Sequence, residues 1–178
     1  MTEVLSEWAA MLAFNRQLLD QALDLVAEGG QRPERDFALD CGAHLRHLVE
    51  HYEAFLQAVA VGGAALIAYD RRPRDRAAEA CPQQMRERLL RLQAALAGLA
   101  TEDPERPCAV ELRGGVDGDQ LWVSRSTLAR ELLFLASHTT HHYALIASRL
   151  AAQGLMLDTR FGKAPATLRF EHDRERAA

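Results

Sequence analysis

Six of the seven histidines in the chain fall into two short groups, and imidazole is the commonest side-chain ligand of transition metals. The segment GAHLRHLVEHYEAFL contains one group, and ELLFLASHTTHHYALI contains the other. The members are His44, His47 and His51 in the first group, and His138, His141 and His142 in the second. Only His172 stands apart. This segregation indicates a site where two distant segments meet.

The spacing within each group is that of ligands on a helix face. His138 and His142 are four residues apart, so on a helix they lie one turn apart and can chelate one ion. His44, His47 and His51 share a sector of about 60° on their own helix. One ligand from that helix would complete a three-histidine set with an open position for water or substrate.

The choice of the third ligand stays open from spacing alone. On its helix, His47 lies about 130° from the centre of the apolar stripe, whereas His44 and His51 flank the stripe. Phase therefore favours His51 or His44. Apolar neighbours of His142 should lower the pKa of its imidazole and keep it neutral, as metal binding requires. The alternative without a metal is a set of core histidines or a pH-sensitive seam.

Four stretches have the apolar period of amphipathic helices. We predict helices over about residues 4–28, over 40–61 with Asp40 as N-cap and Gly62-Gly63 as stop, from Pro82 onward, and from Ser124 or Ser126 to about residue 153. CAVELRGG and DQLWVS predict a short β-hairpin before the last of these. The prediction is a single all-α domain over residues 1–178, a four-helix bundle.

The remaining segments and the composition are less informative. YDRRPRDRAAE, residues 69–79, is interpreted as a solvated loop, and the tail from about residue 154 as mostly irregular. A net charge of −4 with interspersed signs argues against nucleic acid, and no apolar run approaches a membrane span. The absence of a signal peptide predicts a cytoplasmic protein. Cys41, Cys81 and Cys108 are interpreted as unpaired, buried or half-buried thiols rather than nucleophiles.

LRHLVEHYEAFL followed by HTTHHYALI resembles the DinB/YfiT-like superfamily of metal-binding four-helix bundles. The first family motif falls on His47 to Glu50, and the HxxxH pair falls on His138 and His142. The resemblance therefore implies His47, His138 and His142 as metal ligands, with His44, His51 and His141 near them. It also implies an up-down-down-up topology, frequent homodimers, and zinc, nickel or another divalent ion such as iron.

Two functions are compatible with such a site. The first is a metal-dependent thiol S-transferase-type enzyme or, on the same site, a hydrolase, since some members of the family that the chain resembles transfer small bacterial thiols. The second is a non-catalytic, stress-associated metal-binding or interaction module in which the ion is structural. No catalytic side chain is assigned: Glu50 and Glu131 are interpreted as surface or supporting groups, and Arg71, Arg72 and Arg74 as solvated.

Overall fold

The computed structural model describes residues 2–30, 35–61 and 65–177. Its helices are α1 (Thr2–Gly30), α2 (Ala43–Val61), α3 (Arg76–Ala80), α4 (Pro82–Gly98), α5 (Leu128–Ala151) and α6 (Pro165–Ala177). Short π-helical and 3-10 turns occupy Ala38–Gly42 and Leu99–Thr101. Among the helices of the described residues, none combines the length and apolarity needed to cross a bilayer.

The four long helices pack side by side around one apolar core. α1 contacts α4 and α5, and α2 contacts the same two helices. The largest side chains with almost no solvent contact come from all four: Trp8 and Leu19, Tyr52 and Phe55, Met85 and Leu89, and Tyr143. Burial of these side chains supplies the main favourable term in folding. α2 and α5 therefore lie against each other along the faces that carry the two histidine groups.

The helix boundaries differ from the predictions in two places. The π-helical turn runs directly into α2, and Asp36 rather than Asp40 accepts the Leu39 N–H, at 3.1 Å. α5 begins at Leu128, after Thr127 caps the Arg130 N–H, so the predicted start at Ser124 or Ser126 is wrong. The predicted stop at residues 62–63 lies outside the described residues.

The protein is rich in helices but is not all-α as predicted, because it also contains a small three-stranded sheet. Its strands are β1 (Ala65–Ala68), β2 (Pro107–Gly114) and β3 (Gln120–Thr127), in the order β1-β2-β3. β2 and β3 are antiparallel and form the predicted hairpin, which extends through Thr127. β1 pairs in parallel with β2 and was not predicted, because its four residues find their partners some forty residues away.

Part of the segment interpreted as a solvated loop packs on α2. Tyr69 is buried, the side chain of Arg72 is only 9% exposed, and residues 76–80 form α3. Gly42 permits this contact, because a Cβ there would lie 2.0 Å from the Glu79 carbonyl oxygen. An ion pair between Arg46 and Glu79, 2.8 Å apart, fixes the same approach. Arg72 and Glu79 are thus partly buried with partners on α2, whereas Asp70, Arg71, Arg74, Asp75 and Arg76 are exposed, as a solvated loop predicts.

The tail is more ordered than the sequence indicates. Residues 165–177 form α6, so the expectation of a mostly irregular tail is wrong for its second half. The Phe161 ring stacks on Tyr143 of α5, with centroids 4.6 Å apart. Gly162, at a φ of 73°, lies so close to α5 that a Cβ would be 2.6 Å from the Ala144 nitrogen. The tail therefore docks at one defined point of α5.

Gly42→Ala should destabilise the protein by about 1–3 kcal/mol, the usual cost of overpacking, because the new methyl group meets backbone rather than a movable side chain. Gly98→Ala is the matched control. Gly98 has helical dihedral angles and nothing within 4 Å of a Cβ, so that change should be neutral or slightly stabilising. Urea unfolding measures both, and equal effects would contradict the close approach at Gly42.

Candidate metal centre

Histidines of α2 and α5 converge between the two helices. His47 Nε2 lies 3.0 Å from His138 Nε2, and the His51 and His138 ring centroids are 4.4 Å apart. The candidate ligand atoms of His47, His51 and His138 all lie within 4.8 Å of one another. Two nitrogens that bind one zinc ion at about 2.0–2.1 Å must themselves lie about 3 Å apart. The donor set and its spacing therefore fit a metal ion.

His142 and His44 extend the cluster on one side. The His142 ring centroid is 4.6 Å from those of both His47 and His138. His142 Nδ1 also lies 2.9 Å from Nδ1 of His44. His141 is exposed at the edge, its ring 5.4 Å from that of His142, and His172 is exposed on α6. The structure thus gathers five of the seven histidines and places the other two at the surface.

The helical phase of α2 was misleading because α2 is covered on nearly every side. Five consecutive residues at its middle are buried: Leu48, Val49, Glu50, His51 and Tyr52. The helices α4 and α5 cover part of the surface, and β1 and α3 cover the rest. A helix buried all round has no single apolar stripe from which inward positions can be read. His47 can therefore point into a site although it lies far from the stripe centre.

Two aromatic side chains form walls of the cluster. Tyr69 stacks on His51, with centroids 5.2 Å apart and planes 27° from parallel. Phe134 stacks on His138 at 5.4 Å and 21°, and the two aromatic rings contact each other. Sequence reasoning missed both. The four-residue spacing of Phe134 and His138 was a usable signal, whereas nothing local marked Tyr69.

Hydrogen bonds fix the orientation of individual rings. His51 Nδ1 donates to the His47 carbonyl oxygen at 2.7 Å, which leaves His51 Nε2 with a lone pair. His47 Nδ1 lies 2.8 Å from Arg72 Nη1. Partners of this kind orient metal-binding imidazoles and fix which nitrogen carries the hydrogen.

Two buried carboxylates support the site from behind. Glu50 accepts the Asp75 N–H at 2.8 Å and pairs with Arg46 at 3.2 Å. Glu131 accepts from the Tyr69 hydroxyl at 2.9 Å and from the Ser126 hydroxyl at 2.6 Å. Because each already accepts hydrogen bonds from two donors, both serve as structural acceptors around the histidines. Neither is a surface group.

The environment of the cluster favours the neutral form of its imidazoles. Burial lowers the pKa of His47 to about 2, and a positive charge on His51 or Arg72 opposes its protonation further. Burial likewise lowers the pKa values of His51, His138 and His142 to about 4, with neighbouring positive charges acting in the same direction. The expected lowering for His142 is confirmed. At neutral pH these imidazoles carry lone pairs that a metal can use.

Burial disfavours the thiolate form of two of the three cysteines. All three are free, as the sequence indicated, with Cys41 and Cys108 buried and Cys81 half-buried. Burial raises the pKa of Cys41 to about 12 and raises that of Cys108 as well. The described group of possible metal ligands consists of histidines alone.

Comparison with known proteins places the chain in a family. A profile described as the DinB superfamily matches residues 7–146, well over half of the chain, and includes both histidine groups. The chain belongs to the DinB superfamily. This membership confirms the resemblance carried by the two motifs. No solved structure matches the chain.

One similar curated protein comes from a fungus. The chain is 28% identical over 100 residues to FK506-binding protein 5 of Rhizopus delemar (strain RA 99-880). The alignment covers 56% of this DinB chain and 26% of the fungal protein. The chain thus spans about a quarter of that relative's length. The relative's name therefore indicates no function for the histidine cluster.

Acidification should destabilise the metal-free protein. The unfolded chain takes up protons on these histidines below about pH 6.5, whereas the folded cluster resists protonation down to about pH 4. The contribution of the neutral histidines to the free energy of unfolding is therefore fully present above pH 6.5 and is lost as the pH falls toward 4. Each such histidine contributes up to about 1.4 kcal/mol per pH unit.

Thermal melts between about pH 7.5 and 4.5 measure this dependence. Carboxylates also titrate in the range, so the informative quantity is the difference between variants. His138→Gln should flatten the dependence, and His141→Gln, at an exposed position, should change it much less. Identical profiles for the three proteins would contradict the buried, neutral state of His138.

Proposed function

We propose that the protein binds one divalent transition-metal ion between α2 and α5. The supporting observation is the set of ligand atoms on His47, His51 and His138, all within 4.8 Å of one another. Family membership and the lowered pKa values of the cluster support the same proposal. Imidazole nitrogens suit zinc, nickel, copper and iron. We propose zinc or nickel, as the family resemblance implies, with iron as a further candidate.

The proposed ligands are His47, His138 and His142. His51 is an alternative to His142, because its ligand atom belongs to the close set with His47 and His138, and His51 or His44 stays an alternative to His47. His138 and His142 lie one turn apart on α5 with ring centroids 4.6 Å apart. His51 donates from Nδ1 to a backbone carbonyl, so it offers Nε2, and His142 offers Nε2 when its Nδ1 donates to Nδ1 of His44. The ring of pairwise helix contacts supports an up-down-down-up four-helix bundle as the scaffold.

The proposed activity is that of a metal-dependent thiol S-transferase. A bound ion would lower the pKa of a small thiol at an open position and favour the thiolate nucleophile. The thiolate would displace a leaving group from an electrophile, forming a C–S bond, while the thiol proton goes to solvent. His47, His138 and His142 are only partly buried, so a substrate can reach them. Tyr69 and Phe134 offer an apolar wall, and Arg72 a positive charge.

A structural role for the ion is the second candidate. Both buried carboxylates near the cluster already accept hydrogen bonds from two donors, so neither is free to act as a base. An ion shared by α2 and α5 would join the two helices across the core and couple metal binding to folding.

Metal analysis of untagged protein tests the site. We expect about one ion per chain in the wild type and loss of most of it in His47→Ala and His138→Ala, because a three-ligand set cannot spare one imidazole. His141→Ala, at the exposed edge of the same group, is the matched control and should keep the ion. Full retention in His47→Ala or His138→Ala would refute the assignment.

The variants His51→Ala and His142→Ala decide which of these two histidines binds the ion together with His47 and His138. The variant that removes a ligand should bind little zinc, and its visible absorption after addition of cobalt should be weak or altered. The other variant should keep the zinc content and the cobalt spectrum of the wild type. Loss in both variants would indicate four histidine ligands.

Thiol binding separates the enzyme from the structural module. Titration of cobalt-substituted protein with a panel of small thiols should produce a sulfur-to-cobalt charge-transfer band, and the same thiols should react with a chromogenic electrophile. Removal of the metal should abolish the reaction. If no thiol gives the band while metal removal lowers the melting temperature, the structural role is correct.

A further inference from the structure

Arg72 holds one of the proposed metal ligands. Its Nη1 lies 2.8 Å from His47 Nδ1, and its Nε donates to the carbonyl oxygen of Tyr69. The carboxylate of Glu50 is 3.6 Å from the same Nη1. With a side chain only 9% exposed, Arg72 is part of the packed interior rather than a mobile surface group.

This contact determines where His47 carries its hydrogen. A guanidinium has five N–H donors and no acceptor, so the nitrogen that it contacts must present a lone pair. A neutral imidazole has one such nitrogen and one N–H, which places the hydrogen of His47 on Nε2. That Nε2 lies 3.0 Å from His138 Nε2 and can donate to it. The order of donation is therefore Arg72 to His47 to His138.

His51 has the opposite arrangement one turn away. Its Nδ1 faces a backbone carbonyl oxygen at 2.7 Å, and because a carbonyl only accepts, that nitrogen carries the hydrogen. His51 Nε2 then has no hydrogen, and its lone pair points away from the backbone of α2. Two histidines of the same helix are thus held in different tautomers by different partners.

We propose that Arg72 locks His47 in the tautomer that cannot bind a metal through Nε2, and that metal loading releases Arg72. The inference rests on the metal site proposed above. Ligation through Nε2 requires the hydrogen to move to Nδ1, with no net loss of a proton. There it would point at the guanidinium, donor against donor, so the contact must break.

The structure also provides a partner for the released side chain. Glu50 has a fully buried carboxylate within 3.6 Å of Nη1, and it already holds the backbone of this segment through Asp75 N–H. The released guanidinium would keep a charged partner in Glu50, so metal binding would not leave a buried cation unpaired. In the metal-free protein, Arg72 therefore competes with a metal ion for His47.

Nitrogen-15 spectra of the histidine side chains test the tautomers directly. In metal-free wild-type protein near neutral pH, we expect His47 to be protonated on Nε2 and His51 on Nδ1. Saturating zinc should move the His47 hydrogen to Nδ1. In Arg72→Met, which removes the donors but keeps an apolar chain, the metal-free His47 should already shift toward the Nδ1–H form.

Zinc affinity, measured by chelator competition, tests the lock. Arg72→Met should bind zinc about tenfold more tightly than wild type, the scale on which groups hydrogen-bonded to ligands act. Arg72→Gln should bind at least as tightly, because its amide oxygen can accept from Nδ1–H. Arg71→Met removes a neighbouring guanidinium whose side chain is 66% exposed and paired with Glu111, and should leave the affinity unchanged.

The outcomes separate the two proposals. If wild-type protein and all variants bind no zinc, the metal site is wrong, and the tautomers alone then decide whether Arg72 fixes His47. If wild type binds zinc but the folded Arg72 variants bind equally or more weakly, the lock is refuted and the site stands. Metal-free wild-type protein with His47 protonated on Nδ1 would also refute the lock. The nitrogen-15 spectrum reports the tautomer itself, so the loss of a positive charge in the Arg72 variants cannot produce the same result by electrostatics alone.

Discussion

The buried carboxylate of Glu50 is the constraint on which the rest of the site depends. Its side chain has no solvent contact, and an unpaired buried charge would cost about 3–5 kcal/mol. Arg46, four residues earlier on α2, supplies one partner, and the N–H of Asp75 supplies another. To provide the second, the chain after β1 must lie against α2. Satisfying one charge therefore brings Tyr69 and Arg72 to the histidines.

The histidine cluster follows from that closure. Once residues 69–75 cover α2, the imidazoles of α2 and α5 share a poorly hydrated space in which charged rings are disfavoured, and their pKa values fall. A neutral ring still has one N–H that needs an acceptor and one lone pair that needs a donor. The backbone carbonyl at His51 and the guanidinium at His47 meet these needs in opposite ways. Burial thus favours metal binding in general, while individual partners decide which nitrogen is ready.

The sequence predicted what is encoded locally. The four-residue spacing of His138 and His142, the helical periods and the β2–β3 turn each depend on neighbours a few residues apart, and the structure agrees with them. In residues 69–79 the prediction of a solvated loop is wrong for Tyr69, Arg72 and Glu79, because these side chains have long-range partners such as Arg46 for Glu79, 33 residues apart. The helical phase of α2 pointed away from His47 because β1 and α3 also cover this helix. Only the family motif pointed to His47, since the cover over α2 is a long-range feature.

The proton inventory of the site limits the chemistry that it can perform. Glu50 and Glu131 are the buried carboxylates nearest the rings, and each would leave two donors unsatisfied if it turned to act as a base. The described tyrosine at the cluster, Tyr69, donates to Glu131, and its pKa is raised by burial. Proton transfer is then open to imidazoles such as the partly exposed His44–His142 pair, to the exposed Asp70 near His51, or to solvent. A site built in this way favours reactions in which the substrate itself becomes the nucleophile, and disfavours reactions that need a buried carboxylate base.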